Sequence, residues 1–344
     1  MATADDLERL ETDVLAGFVL ARASAGLADG TIRGDVSHLE QMRSSFGRPL
    51  WEMEPSDADA YFGRVLRHAP IGTRLARVRA LSVYFEFLEL RHQVELHTLT
   101  GIVARCPIDE VNRPRGRKDA RLRIPPSTEE LTGFFADWAQ ALAGCRKFAP
   151  AARTYAAARL MAATGLRANE TRRLDLDDVR WDLGHFGKLH VRHGKGANGS
   201  GPRERMVPLL SGSDALLRWY IEDVWGQLDP GSHTRPGAAL FAAERKAADG
   251  SAMRVSYEML RAGLAEAVAA HLPHWCARLT PHVLRHYCAS QLHSEGVDLL
   301  SIQEMLGHAW VATTMRYVHI HHSRIEDAWR SGQQRAAARL EGLI

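Results

Sequence analysis

The residues whose types and spacing suit a reaction lie in the last third of this chain. His282 and Arg285, in Leu279-Thr-Pro-His282-Val-Leu-Arg285-His286, stand three apart and share one helical face. His308, in Leu306-Gly307-His308, comes nine residues before Tyr317, a spacing that can bring the phenol to the same point. These groups suit attack on a phosphodiester. A phenol, with an ordinary pKa of about 10, is almost wholly protonated at neutral pH and needs a proton acceptor beside it. His282 or His308 can serve. The phosphorane that forms gathers negative charge on its equatorial oxygens, which planar guanidinium forks stabilise better than an ammonium does. Arg285 supplies one fork.

A second fork must come from elsewhere in the chain. The segment Ala163-Thr164-Gly165-Leu166-Arg167-Ala168-Asn169-Glu170 offers it: a helical run over Ala156 to Met161 meets Gly165, a helix-ending residue, and Arg167 opens the next helix. Glu170, three residues on, is placed to buttress it. The departing 5′-oxygen needs a proton. Lys195, in Leu189-His190-Val191-Arg192-His193-Gly194-Lys195-Gly196, lies in a turn between two strand-like runs, the second being Arg205 to Leu210. Lys188 is nearby, but Lys195 sits at the tip.

Taken singly, each residue has an ordinary explanation: His282 as a helix cap, Arg285 as a partner of Glu295 or Glu304, Tyr317 as a packed ring. Six in a fixed order are a different matter. In that order and spacing, Arg167, Lys195, His282, Arg285, His308 and Tyr317 closely resemble the tyrosine recombinases, the phage-integrase family. The match runs through Thr164-Gly-Leu-Arg167-x-x-Glu170, Gly194-Lys195-Gly196, His282-x-x-Arg285-His286, Leu306-Gly307-His308 and Thr313-Thr314-x-x-Tyr317.

The resemblance implies that Arg167 and Arg285 clamp the scissile phosphate, and that Lys195 is the general acid for the leaving 5′-hydroxyl. It implies that His282 acts in proton transfer, that His308 hydrogen-bonds the phosphate, and that Tyr317 becomes joined to the DNA 3′-phosphate. Glu170 and His286 stand behind these groups. The implied enzyme is a site-specific recombinase needing no cofactor, its partners being double-stranded DNA carrying recombination sites and three further copies of itself. Rival readings are a type IB topoisomerase, which shares the chemistry but acts as a monomer, and a catalytically silent DNA-binding accessory protein. In the second N-terminal helix, where relatives often carry an aromatic, this chain has Asp35. That departure bears on DNA contacts of the N-terminal region and leaves the reactive residues untouched.

At 344 residues the chain exceeds the ~250–300 at which single cores usually split, so two domains are expected. Apolar residues make up 45% and charged residues 25%, ordinary for a globular protein. A net charge of +3 says little by itself about nucleic acid. Local clustering says more: Arg113, Arg115, Arg117, Lys118, Arg121 and Arg123 face one acid, Asp119, in a segment whose Pro and Gly argue against regular structure. Lying between two helical regions, it is expected to strap along a phosphate backbone. Cys106, Cys145, Cys276 and Cys288 form no CxxC pair, the start lacks a basic and apolar leader, and no apolar run nears the ~20 residues of a membrane span. A cytoplasmic chain with reduced thiols is expected.

The elements that must position the reactive groups follow from periodicity. Apolar residues at helical spacing run through Leu7 to Val19, Ile32 to Met42, Tyr61 to Leu66 and Leu75 to Leu88. A capping box at Ser127 and Glu130 opens the next region. The reading is mainly α: an N-terminal helical bundle over 1–112, a basic linker over 113–125, and a mostly helical domain over 126–344 with one small antiparallel sheet and helix from Ser213 onward. By the resemblance these are a SAM-like core-binding bundle and a catalytic domain forming a two-domain clamp on DNA. A final helix, carrying Ile325, Trp329 and Leu340, would dock on a neighbouring protomer. Neither His271, His274 and Cys276 nor His319, His321 and His322 has zinc-site spacing, and no GxxxxGK[ST] frame is present, so neither metal nor nucleotide is expected.

Overall fold

The computed structural model describes residues 4–116, 124–194, 203–230, 235–307 and 333. The chain divides into two compact units, Met1–Arg121 and Leu122–Ile344. Among the described residues no helix is long and apolar enough to cross a membrane.

The first unit is helical: α1 (Ala4–Ser24), α2 (Asp29–Phe46), α3 (Pro55–Ala60) continuing as a π-type turn over Tyr61–Val65, α4 (Ile71–Arg91) and α5 (Gln93–Thr100). Its apolar stripes meet in one core, with Val14, Phe18, Met42, Leu81, Phe85 and Leu88 buried. Phe18 of α1 meets the Tyr84 and Phe87 rings of α4 edge-on at 5.4 and 5.6 Å. Two ion pairs lock α1 to α2: the Arg43 guanidinium grips Glu11 at 2.5 and 3.0 Å, and Arg22 meets Asp35 at 2.8 Å. Asp35, the departure noted above, is thus a bridge between helices. Helix α5 has no long apolar stripe and is missing from the sequence reading; only Leu96 of it is buried. At the start of the basic segment, the Asp109 carboxylate accepts from the Val111 and Asn112 amides, and Arg115 donates to the Glu110 carbonyl. Arg117, Lys118, Arg121 and Arg123 lie outside the described residues.

The second unit opens with the expected capping box, Ser127 Oγ accepting from the Glu130 amide at 3.2 Å and the Glu130 carboxylate from the Ser127 amide at 2.8 Å. Helices α6 (Thr128–Leu142), α7 (Phe148–Thr164) and the single turn α8 (Ala168–Thr171) follow, then strands β1 (Val179–Arg180), β2 (Lys188–Gly194) and β3 (Arg203–Pro208). The three strands form one antiparallel sheet in the order β1-β2-β3, with Leu189 opposite Val207 and Val191 opposite Arg205. Next come α9 (Ser213–Trp219), a π-type turn to Trp225, α10 (Gly226–Leu228), strands β4 (Ala242–Lys246) and β5 (Ala252–Arg254), α11 (Tyr257–His271), α12 (Pro281–Ser294) and α13 (Leu299–Leu306).

Helix α7 is the centre of this unit. Ala152, Ala156, Ala157 and Leu160 are almost wholly buried, and the small side chains let α6, α11 and α12 approach closely. The second antiparallel ribbon, β4 with β5, corrects the expectation of helix throughout this stretch. Ala242, Ala243, Glu244, Arg245 and Lys246 have helical propensities, but tertiary contacts override them. The Val255 amide donates to the Phe241 carbonyl, Phe241 stacks on Tyr220, and the buried Asp229 carboxylate accepts from the Ala252 amide.

Candidate active site

Helix α7 stops at Gly165, whose left-handed backbone (φ 65°) closes the helix through its own amide. A Cβ here would lie 2.3 Å from Leu306 Cδ2 and 3.2 Å from Cys288 Sγ, so the end of α7 is pressed against both α12 and α13. Two residues later Arg167 caps α8 in an extended conformation. Its amide donates to Glu170 Oε2 at 3.0 Å and its Nη1 to Oε1 at 2.6 Å. Glu170 thus meets Arg167 through both its backbone and its side chain.

Arg285 reaches the same place from α12. Pro281 opens that helix, and Val283, Leu284, Cys288, Ala289 and Leu292 bury one face of it. The Arg285 side chain, 1% exposed, lies 4.0 Å from Glu170 Oε2. Its Nη1 donates to the Gly165 carbonyl and its Nη2 to the Leu306 carbonyl, each at 2.7 Å. One guanidinium thus satisfies carbonyls at the C-terminal ends of two helices, α7 and α13, where helix dipoles favour positive charge. Neither Glu295 nor Glu304, the partners of the ordinary explanation, takes part in these bonds.

A third guanidinium completes the cluster. Arg205 of β3, 8% exposed, donates to Glu170 Oε2 at 2.7 Å and to Oε1 at 3.2 Å, while its Nε donates to the Met305 carbonyl at 2.8 Å. The sequence reading placed Arg205 only at the start of a strand. The signal was present in the period of two: Arg205, Val207 and Leu209 share a strand face, and the latter two are wholly buried. An arginine on a buried face needs a carboxylate.

Burial alone would raise the Glu170 carboxyl, but hydrogen bonding and charge from Arg205, with the charge and amide of Arg167, override it and hold it at about 2. With three guanidiniums around one carboxylate, the cluster carries net positive charge. Arg167 is its open member, its side chain 29% exposed, whereas Arg285 and Arg205 are buried. The cluster can hold an anion at Arg167 without a metal. Among the described residues no group of three or more His, Cys, Asp or Glu is placed to bind one.

His282 is exposed on α12, and its ring meets that of the buried His286 edge-on at 4.7 Å, one turn along. The other nucleophile candidates near the cluster are poor. Burial pushes the Cys288 thiol up to about 12 and raises the Tyr287 phenol as well. Lys188 begins β2 opposite Arg180 and Pro208, at the far end of the strand from Gly194, the residue before Lys195 in sequence. A Cβ on Gly194 would lie 2.2 Å from the Arg203 carbonyl, so the pairing of β2 with β3 at this position demands glycine. Arg192 anchors β2 by gripping Asp178 at 2.7 and 2.8 Å and by a further bond to Asp175, which Arg254 of β5 also meets. Lys195, His308 and Tyr317 lie outside the described residues. Gly307 ends α13 in a left-handed conformation (φ 67°), with a notional Cβ 3.0 Å from Arg205 Cδ.

The sequence pattern of the phage integrase family matches residues 136–324, more than half of the chain. This protein belongs to the phage integrase family. Among curated relatives, the tyrosine recombinase XerD of Listeria innocua is 29% identical over 177 residues, covering 52% of this chain and 53% of that protein. The chain thus aligns with about half the length of that relative. The tyrosine recombinase XerC of a Roseiflexus species is 29% identical over 326 residues, covering 92% of this chain and 91% of the relative. Among solved structures, the Tn1549 transposon integrase in complex with a circular intermediate DNA matches with a TM-score of 0.60 at 16% identity, over 95% of this chain and 99% of that one. A λ integrase dimer bound to a COC′ core site matches with a TM-score of 0.59 at 14% identity, over 90% of this chain and 95% of that one. These two likenesses are of fold. In this integrase-family chain the helical second unit with its hairpin is the part within which the family pattern falls.

Two outcomes follow from the cluster. A Glu170 carboxyl depressed in the folded state stabilises the protein fully above its unfolded pKa of about 4.3, and the contribution of roughly 3 kcal/mol is lost as pH falls toward 2. Urea midpoints measured from pH 7 to pH 2 should therefore fall less steeply below pH ~4.3 for Glu170→Gln than for the parent. Gly165→Ala, strained in φ and overlapping Leu306, should lose about 2 kcal/mol or more in the same assay.

Proposed function

We propose that this chain is a site-specific DNA recombinase that cleaves and rejoins duplex DNA through a 3′-phosphotyrosyl intermediate at Tyr317. The observation that carries this reading is the gathering of Arg167 and Arg285, 118 residues apart in the chain, around one buried carboxylate, Glu170, in a member of the phage integrase family. The Xer relatives are described as tyrosine recombinases, and several solved structures of like fold were determined with DNA bound.

In this mechanism the Tyr317 phenolic oxygen forms a bond to the scissile phosphorus as the bond from phosphorus to the 5′-oxygen breaks. His282 takes part in moving the phenolic proton, and Lys195 gives a proton to the departing 5′-oxygen. Arg167, Arg285 and His308 stabilise the charge on the non-bridging oxygens. Because the phosphodiester energy is kept in the tyrosyl bond, attack by a 5′-hydroxyl restores the DNA with no nucleotide cofactor. Residues 1–112 form the core-binding domain and 126–344 the catalytic domain of a clamp on duplex DNA. The segment with Arg113, Arg115, Arg117, Lys118, Arg121 and Arg123 follows the phosphate backbone between them. Four protomers on two sites exchange strands in the cytoplasm, with the segment after Tyr317 docking on a neighbour.

The test uses DNA recovered with Tyr317→Phe, rebuilt as a nicked suicide duplex. The parent should form a covalent adduct and Tyr317→Phe should bind without forming one; an adduct from Tyr317→Phe would move the nucleophile elsewhere. Arg167→Ala should cleave at least ~100-fold more slowly at saturating DNA, the cost of removing one oxyanion donor, as read by adduct formation in gel time courses.

A further inference from the structure

We propose that Arg205 is a positioning residue for this cleavage, holding Arg167 and the end of α13 in register through a single guanidinium. The role rests on the recombinase reading above. Three separate pieces of chain must agree for that reaction: the α8 cap with Arg167, the β2–β3 pair between whose strands Lys195 falls in sequence, and the end of α13, after which His308 comes next in sequence. Among the described residues, Arg205 touches all three. It belongs to β3, its Nη1 and Nη2 engage the carboxylate that also grips Arg167, and its Nε donates to the Met305 carbonyl. Gly307, the residue before His308, lies so close that a Cβ on it would come within 3.0 to 3.1 Å of Arg205 Cδ, Nε and Nη1.

The geometry explains why arginine stands here. Two parallel bonds to one carboxylate plus a third from Nε, in a different direction, need a planar fork with donors on both edges. A lysine ammonium can reach Glu170 or the Met305 carbonyl, but it cannot fix the plane of both. All three donor nitrogens of Arg205 are engaged within the protein, Nη1 and Nη2 on Glu170 and Nε on the Met305 carbonyl, so its part is to position rather than to bind. Its influence passes through Glu170 to Arg167 and through Met305 and Gly307 to the chain that follows. Without it, Glu170 retains Arg167 as its direct partner and the open guanidinium loses its fixed orientation. Misplacing a charge-stabilising group by about 1 Å slows chemistry more than it weakens binding.

The full-length parent, Arg205→Gln and Arg205→Lys are assayed with and without Arg167→Ala, using the nicked duplex recovered as above. Single-turnover cleavage, DNA half-saturation and melting temperature are all read. Arg205→Gln should slow cleavage at saturating DNA by about 10- to 100-fold, while half-saturation moves by less than about twofold, an effect on the chemical step rather than on binding. Arg205→Lys should recover only a small part of the rate. In the Arg167→Ala background the further loss from Arg205→Gln should stay under about threefold, because residues acting through one another do not add. Parental cleavage by Arg205→Gln, or full multiplication of the two losses, overturns the proposal. Should Arg205→Gln fail to fold, the same cycle is read on Arg205→Lys, for which parental cleavage is the overturning result. A parent that forms no adduct overturns the recombinase reading, and this role with it; every other outcome leaves that reading standing.

Discussion

A carboxylate taken out of water at Glu170 is the constraint around which the second unit is arranged. Removing an ion of that size from solvent costs several kcal/mol even after relaxation, so a buried carboxylate persists only where hydrogen bonds and opposite charge meet it on every side. Here Arg167 approaches from the cap of α8, Arg205 from β3 and Arg285 from α12. Each of these elements is thereby tied to the others by a group that cannot be left alone. The same need works in reverse: two of the three guanidiniums are themselves buried, and Nη1 and Nη2 of Arg285 and Nε of Arg205 are matched to backbone carbonyls at the ends of α7 and α13. The result is a rigid cationic cluster with one open arginine.

The helix ends are what make the cluster possible. Helices leave their last carbonyls without partners, and these normally face water. In this fold the C-terminal ends of α7 and α13 turn inward, each closed by a glycine in the left-handed region, Gly165 and Gly307. The inward carbonyls then accept from Arg285 and Arg205, with the helix dipoles adding to the attraction. Both glycines allow an approach closer than a side chain would permit, so the motif residues Gly165 and Gly307 serve packing and electrostatics together.

In the first unit, charge has a different part. Glu11 with Arg43 and Arg22 with Asp35 join α1 to α2 at the margin of an aromatic core. These pairs are partly exposed and contribute modestly, while the buried rings of Phe18, Phe85 and Tyr84 supply the larger share of stability. Asp35 stands in the sequence as a departure from the usual aromatic, and in three dimensions as half of a bridge.

Much of this was written in linear order. Periodicity laid out α1, α2, α4 and α12, the Ser127 and Glu130 box marked the start of α6, and Gly165 marked the end of α7, because each depends on residues a few positions apart. The pairing of Arg167 with Glu170 is legible for the same reason, being three residues apart on a helix cap. Ribbon β4–β5 was not, since its alanine-rich and charged residues favour helix locally and are held extended by Asp229, on the Ala252 amide, and by the Tyr220 ring on which Phe241 stacks. Arg205 was hidden because its partners, Glu170 and Met305, lie 35 and 100 residues away along the chain. The chain alone thus determined which reactive residue types are present, in what order, and the local helices that bear them. Which arginine stays open and which are buried was decided only in the folded state, where a carboxylate that water no longer solvates must draw its counter-charges from distant segments.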